Sequence, residues 1–345
     1  MKTKFLVFAD LHVDIMHDTV ARMQIITRAA LDNRVDFLLH LGDIMYPDEE
    51  FLQKNAPDNL AGRGNATFLC DRDDEKRAIR AMLDATGLKT YGVLGNHDMD
   101  SCDKRAACLY WGIPGPYYAF VRGGVRFLAL DANFIETEEG LVPYNNHNYK
   151  AYKRARTTFL PKEQLDWLEE EIMASPEPCV LLSHASLADD VLNVQNMRDV
   201  WAIIRRANAD RRRVILALNG HNHVDGLTVR EGVPFVSINS VSNIWIGRDL
   251  ATVRYSETIT RTYPHIVGCA PYYHPLYTIM TIDDGGIDMT GTESCFVGPS
   301  PAKLGFNPAK SYHEPSPRIR ARHLPLTAME GDGRVEEADE EARHA

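Results

Sequence analysis

Five short apolar runs, each leading to a polar side chain, constrain the fold of this 345-residue chain more than any other feature. The runs cover residues 4–9, 35–41, 89–94, 179–183 and 214–218, and they lead to Asp10, Asp43, Asn96, His184 and His221. Apolar runs of this length, separated by segments with helical periodicity, predict the strands of an α/β sheet. Because ligands bind at the carboxyl ends of strands in such sheets, we expect these polar side chains to meet there.

The polar side chains belong to short clusters with a fixed order along the chain. The clusters are Asp10-x-His12, Gly42-Asp43, Gly95-Asn96-His97-Asp98, a single His184, and Gly220-His221-Asn222-His223. Alone, each is weak evidence, since Gly-Asp is a common turn and alternate residues of any strand share one face. Together they supply carboxylate, imidazole and amide groups at five strand ends. We interpret the combination as a hydrolytic site that holds two metal ions.

This order resembles the calcineurin-like metallophosphoesterase superfamily, in which Asp-x-His, Gly-Asp, Gly-Asn-His-Asp/Glu, His and Gly-His-x-His follow one another. The resemblance spans residues 4–223. It implies an α/β fold, a sandwich of two sheets with helices on the outer faces. Stretches at 117–131, 163–168 and 197–200 look similar to the class III cyclic-nucleotide phosphodiesterase and ADP-ribose/CDP-alcohol diphosphatase branch. The diphosphatases tend to carry a Phe-Asn-Gly-Gly-like segment where this chain has residues 156–159, which argues against diphosphatase specificity.

The resemblance also implies a set of metal ligands. Asp10, His12 and His223 would hold one ion, Asn96, His184 and His221 would hold the other, and Asp43 would bridge them with one carboxylate oxygen per ion. Such ligands suit manganese, iron or zinc, as divalent or trivalent ions, better than calcium or magnesium. The implied reaction is attack on phosphorus by a hydroxide that bridges the two ions.

Two residues beside the ligands are candidates for catalysis. His97 follows a metal ligand at a loop tip, where it would protonate the leaving group or stabilise charge on the phosphate. Asp98 would orient the imidazole of His97, or it would cap a helix instead.

Charge and cysteine content narrow the class of protein. The formal net charge of −10 argues against general nucleic-acid binding, which needs basic surface. No apolar run approaches the ~20 residues that span a bilayer, so we predict no membrane segment. The first residues lack a secretory signal, and the six cysteines lack Cys-x-x-Cys spacing. We therefore expect a cytoplasmic protein, and the sequence leaves its oligomeric state open.

The distribution of proline, glycine and charged residues along the chain predicts its division into segments. We predict a catalytic domain at 1–298 with long insertions at 44–71 and 132–160, then a proline-rich extension at 299–326. The acidic tail at 327–345 is predicted to be disordered, because it has few apolar anchors. Tyr46 and His147, one in each insertion, are candidate substrate contacts, although His147 also suits an ordinary surface loop.

The favoured function is hydrolysis of a small phosphodiester or phosphoanhydride with a nucleotide-like group. The alternatives are a phosphomonoesterase that acts on small molecules or on phosphoprotein, and a non-catalytic scaffold of the same fold. The complete ligand set and the presence of His97 disfavour the scaffold.

Overall fold

The computed structural model describes residues 1–60, 72–150, 157–188, 192–307 and 314–335. Two sheets of six and seven strands form its centre. The strands, numbered along the chain, are β1 (Lys2–Phe8), β2 (Phe37–His40), β3 (Thr90–Gly92), β4 (Tyr118–Arg122), β5 (Val125–Ala129), β6 (Phe134–Thr137), β7 (Gly140–Pro143), β8 (Cys179–Ser183), β9 (Val214–Asn219), β10 (Gly226–Arg230), β11 (Val233–Ser237), β12 (Asn243–Trp245), β13 (Cys269–Pro271), β14 (Thr278–Asp283), β15 (Gly286–Met289), β16 (Thr292–Glu293), β17 (Arg318–Ile319), β18 (Arg322–Leu324) and β19 (Gly333–Arg334). The α-helices of the described residues are α1 (Thr19–Asp32), α2 (Glu49–Asn55), α3 (Asp73–Ala85), α4 (Lys104–Trp111), α5 (Lys162–Ala174), α6 (Met197–Ala207) and α7 (Glu257–Thr262).

Both sheets are mixed: the first has three parallel strands at one side and antiparallel strands at the other, and the second has a parallel centre with antiparallel strands at both edges. The first sheet has the order β18-β15-β14-β1-β2-β3, and β1, β2 and β3 run parallel. The second has the order β19-β10-β11-β9-β8-β5-β4, and β5, β8, β9 and β11 run parallel. All five strands predicted from the apolar runs are present. Each is followed by the polar residue that marked it in the sequence, so the parallel strands of each sheet deliver these side chains to one edge.

Aromatic side chains fill the space between the sheets. Phe5 of β1 stacks on Phe37 of β2 with ring centroids 4.8 Å apart, and its edge meets Phe127 of β5 at 5.4 Å. Aromatic pairs of this kind add about 0.5–1.5 kcal/mol each beyond the burial of their surface. Helices α1 and α3 cover the outside of the first sheet, and α5 and α6 cover the second. The predicted α/β sandwich is therefore confirmed.

The C-terminal residues depart from the predicted organisation. The proline-rich extension contributes β18 to the first sheet. Part of the tail that was predicted to be disordered is also ordered, because β19 pairs antiparallel with β10. Met329 and Val335 pack against the main core. The physical reason is that β10 would otherwise present unpaired backbone groups at a sheet edge. Residues 336–345 lie outside the described part of the chain.

The two predicted insertions are partly described. Residues 44–60 include α2, whereas residues 61–71 lie outside the described residues. The second insertion forms the hairpin β6–β7, and its residues 151–156 lie outside as well. Within the described residues, no helix is both long enough and apolar enough to cross a membrane.

Candidate metal centre

Most of the predicted metal ligands sit on strained backbone. Asp10, His12, Asp43, His221 and His223 all adopt left-handed conformations, with φ between 53° and 66°. This region costs a non-glycine residue about 1–2 kcal/mol, and such residues cluster at functional sites. The sharp turns let the chain leave a strand end while its side chain points back toward the sheet edge.

Asp10, His12 and His223 form the first of two buried groups, here called the first triad. His223 Nε2 lies 3.2 Å from Asp10 Oδ1 and 3.1 Å from His12 Nε2. Its other ring nitrogen, Nδ1, donates to the Asn243 carbonyl at 2.7 Å. That bond fixes the tautomer and leaves the Nε2 lone pair for a cation, as is usual for metal-binding histidines. The first triad therefore has the arrangement that the predicted first metal site needs.

Asp43, His184 and His221 form the second triad. His184 Nε2 lies 3.2 Å from Asp43 Oδ2 and 3.1 Å from His221 Nδ1. His184 Nδ1 donates to the Leu41 carbonyl at 2.7 Å, which again leaves Nε2 free to bind. Asn96 Oδ1 is buried, and no group in the described part of the chain donates a hydrogen bond to it. An unsatisfied buried acceptor is costly in a stable protein, so it fits an amide ligand that waits for a cation.

Asp43 links the two triads through one oxygen. Its Oδ2 lies 3.9 Å from His12 Nε2 in the first triad and 3.2 Å from His184 Nε2 in the second. Its Oδ1 accepts a hydrogen bond from the main-chain N–H of His97 at 2.8 Å. The geometry suits a bridging carboxylate, but Oδ2 alone faces both sites. Oδ1 retains a second lone pair beside this hydrogen bond, so the expectation of one oxygen per ion stays a prediction.

Glycines in the motifs allow the ligand loops to approach one another. A Cβ atom at Gly95 would lie 2.2 Å from Asp43 Oδ1, and one at Gly220 would lie 2.6 Å from Asp10 Oδ2. The Gly220 turn also lets the His221 N–H donate to the Asp10 carboxylate, at 3.0 and 3.2 Å from its two oxygens. Glycine is thus required at these two positions, because a Cβ atom there would collide with a ligand carboxylate.

Asp98 does not orient His97, and this corrects the sequence-based assignment. Its buried carboxylate accepts hydrogen bonds from four main-chain N–H groups at 2.8–3.2 Å, those of Asp43, Ile44, Met45 and Gly95. Nor does it cap a helix, since it lies inside the single helical turn His97–Met99. Asp98 instead holds the Asp43 loop in place.

Asp100 is the partner of His97 that sequence reasoning missed. The buried Asp100 carboxylate lies 2.7 Å from His97 Nδ1, 2.5 Å from His147 Nδ1 and 2.8 Å from the Tyr149 hydroxyl. The structure therefore joins the predicted His147 to the site through Asp100. The sequence did contain a signal for this pairing: a carboxylate three residues after His97 would lie on the same side of a helical turn.

Charge on the histidines follows from burial and from these carboxylates. Burial lowers the pKa of His97, but the Asp100 and Asp43 carboxylates outweigh it and raise that pKa to about 10. Burial likewise opposes a charge on His184, yet Asp43 raises its pKa to about 9. For His12 and His221, burial dominates and the pKa falls to about 3. Without metal, His184 thus carries a proton next to Asp43, where a cation would otherwise sit.

Two aromatic residues differ in their relation to the site. The candidate substrate contact Tyr46 is only 2% exposed, and its ring packs 3.8 Å from the ammonium of the buried Lys76. It belongs to the interior, so the proposed role of Tyr46 in substrate binding is wrong. Trp245, which no motif marked, has its ring centroid 5.9 Å from that of His12 and 6.4 Å from that of His223.

This chain is similar in fold to a solved structure and matches the model of a known family. A dimetal phosphatase from Danio rerio superimposes with a TM-score of 0.57 at 15% identity, over 86% of this chain and 98% of that one. GAP50, the anchor in the inner membrane complex of Plasmodium, superimposes with a TM-score of 0.49 at 10% identity, over 95% of this chain and 90% of that one. Curated proteins gave no significant match. The model of the calcineurin-like phosphoesterase family matches residues 3–225, which is well over half of the chain, and this protein therefore belongs to that family.

Proposed function

We propose that this protein hydrolyses a small phosphodiester or phosphoanhydride, with a nucleotide-like group, in a reaction that depends on two metal ions. The observation that supports this most is the sharing of Asp43 Oδ2 between the two triads, directly beside His97. Manganese, iron or zinc ions held by the triads and Asn96 would orient and activate a water molecule and neutralise the phosphoryl oxygens.

His97 has the geometry of a general acid. Its Nδ1 is committed to Asp100, so Nε2 is the atom that can give a proton to the leaving-group oxygen. Its ring centroid lies 5.2 Å from that of His12, which puts the imidazole next to the first triad. A protonated His97 also supplies positive charge beside the phosphate.

The charges of the site favour a diester over a monoester. His97 supplies a protonated imidazole beside the two triads, because the Asp100 and Asp43 carboxylates together outweigh burial and raise its pKa to about 10. A diester carries one negative charge, whereas a monoester at neutral pH carries about two. The single charge of a diester therefore suits one protonated imidazole beside the metal ions.

Two aromatic rings, one beside the first triad and one beside His97, support a nucleotide-like group. Trp245 lies beside the first triad, and Tyr149 lies beside His97 with ring centroids 6.3 Å apart. Stacking of a base on an aromatic side chain contributes about 1–3 kcal/mol. The pair would therefore select substrates with a planar ring while the metal ligands act on any phosphoester.

A substrate screen with Mn²⁺ present tests this proposal. We expect the highest kcat/KM for nucleotide diesters or anhydrides, with lower values for glycerol phosphodiesters and for monoesters. Trp245→Leu should lower kcat/KM for the nucleotide roughly 10-fold, and should leave a glycerol phosphodiester unchanged. Trp167→Leu, a half-buried ring on α5 that contacts Tyr117, serves as the control. Faster turnover of monoesters, with diesters left intact, would favour the phosphomonoesterase instead.

A further inference from the structure

The C-terminal residues 314–335 connect the two sheets at their edges. β18 pairs with β15 at the edge of the first sheet, and β19 pairs with β10 at the edge of the second. The metal ligands come from the same two sheets: Asp10, Asp43 and Asn96 follow strands of the first, and His184 and His221 follow strands of the second. The two halves of the metal centre therefore meet only if the two sheets keep the right spacing where their ligand-bearing strands end.

A buried ion pair ties this segment to the loop that carries His221 and His223. Arg322 of β18 donates through both terminal nitrogens to the two oxygens of Asp225, at 2.7 and 2.8 Å. Asp225 is fully buried and stands two residues after His223. Arg320 adds its main-chain N–H and its guanidinium to the same carboxylate, at 3.2 and 3.1 Å. A paired fork of this kind fixes direction as well as distance.

A second connection reaches the first triad from another side. The Asn239 amide donates to the main-chain carbonyls of Ser316 and Arg318, at 2.7 and 3.0 Å. Next along the chain, the Ser240 hydroxyl donates to the Asp10 carbonyl at 2.8 Å. Asn243, in the same stretch, accepts from Nδ1 of His223. The C-terminal segment thus contacts the stretch 239–243, and this stretch in turn contacts Asp10 and His223.

We propose that Arg322 is a positioning residue for the metal centre, and that it sets metal affinity by holding the His221–His223 loop against the Asp10 loop. Arg322 lies outside the matched residues 3–225 and is linked to the His221–His223 loop through its two hydrogen bonds to Asp225. Loss of the guanidinium would leave the buried Asp225 carboxylate without its bidentate partner. The loop around Asp225 would then rearrange, and His223, which precedes Asp225 by two residues, would shift with it. Groups that orient metal ligands typically change affinity by 10–100-fold when they are removed. This inference concerns metal binding alone and holds whatever the substrate is.

Variants of the full-length protein separate positioning from simple stabilisation. Arg322→Met removes the charge, and Arg322→Lys keeps the charge but cannot form two parallel hydrogen bonds. Arg126→Met is the matched control. Arg126 lies on β5, near the opposite edge of the second sheet, and its guanidinium donates to the Glu171 carboxylate at 2.7 Å. The Kd for Mn²⁺ is measured by titration calorimetry on metal-free protein, well below the melting temperature of every variant.

We expect Arg322→Met to weaken Mn²⁺ binding by about 10–100-fold and Arg322→Lys to have a smaller effect in the same direction. Arg126→Met should lower the melting temperature and leave the Kd unchanged. If Arg322→Met does not fold, the Kd of Arg322→Lys decides the question. Wild-type Mn²⁺ affinity in the folded Arg322 variants would overturn the proposal, even if their melting temperatures fall.

Discussion

The carboxylate of Asp100 lies 2.7 Å from Nδ1 of His97 and is itself completely buried. This contact fixes the imidazole plane and reserves Nε2 for whatever enters the site. It also helps to keep His97 protonated, because the Asp100 and Asp43 carboxylates together outweigh the effect of burial and raise the His97 pKa to about 10. The orientation of the candidate acid, and part of its protonation, therefore depend on Asp100, a residue outside the motif.

Asp100→Asn should impair catalysis without removal of metal. A general acid must be protonated, so activity is lost as pH rises through its pKa. Loss of the Asp100 charge lowers the His97 pKa, and the alkaline limb of the kcat/KM profile should move to lower pH. Asp58→Asn, at an exposed position, is the control. A reduced rate with an unshifted profile would show that Asp100 only supports the fold.

His97→Ala should keep both metal ions and lower kcat by roughly 10²–10⁴ for a substrate with a poor leaving group. The loss should shrink as the pKa of the leaving group falls, because a better leaving group needs less protonation. The check is a series of aryl phosphodiesters of graded leaving-group pKa. An equal loss across the series would rule out the general acid and leave electrostatic stabilisation as the role of His97.

Metal binding should release protons. Burial opposes a charge on His184, but Asp43 raises its pKa to about 9, so His184 is protonated at pH 7 in the metal-free protein. A metal ion binds the neutral ring, hence the apparent affinity should rise with pH by up to about tenfold per unit and level off above pH 9. Calorimetry in buffers of different ionisation enthalpy measures the released protons. Binding without proton release at pH 7 would contradict the assignment of His184 as a ligand.

Truncation after Leu326 should destabilise the protein. It removes β19 and main-chain hydrogen bonds to the second sheet, such as Val335 N–H to the Leu227 carbonyl at 2.9 Å. Each net hydrogen bond contributes about 0.5–1.5 kcal/mol, so the melting temperature should fall by several degrees. Truncation after Val335 removes ten residues, of which five are acidic, and should leave the melting temperature unchanged. Equal stability of both variants would show that β19 contributes nothing.

The sequence was most informative where chemistry and position coincide. The strand-end location of Asp10, Asp43, Asn96, His184 and His221 followed from apolar runs alone, because parallel strands must end at a common edge. The resemblance to the family then implied which side chains form each triad. Pairing of β1 with β2 and of β8 with β9 confirms the shared edges within each sheet.

The sequence was least informative where a side chain acts through a distant partner. The His97-x-x-Asp100 spacing did not distinguish Asp100 from Asp98, since both are acidic and lie close to His97. Only the fold shows that Asp98 faces four backbone N–H groups. The tail was likewise predicted to be disordered because it has few apolar residues. Composition alone does not indicate that the edge strand β10 is available to pair with β19. Trp245 carries no motif and comes close to His12 by folding alone.

The central claim is that the two triads hold two metal ions that share Asp43. Anomalous diffraction from crystals grown with Mn²⁺ tests it most directly. We predict two anomalous peaks about 3.5–4 Å apart, one among Asp10, His12 and His223 and the other among Asn96, His184 and His221, with Asp43 Oδ2 between them. A single peak, or peaks away from these side chains at saturating Mn²⁺, would contradict the account.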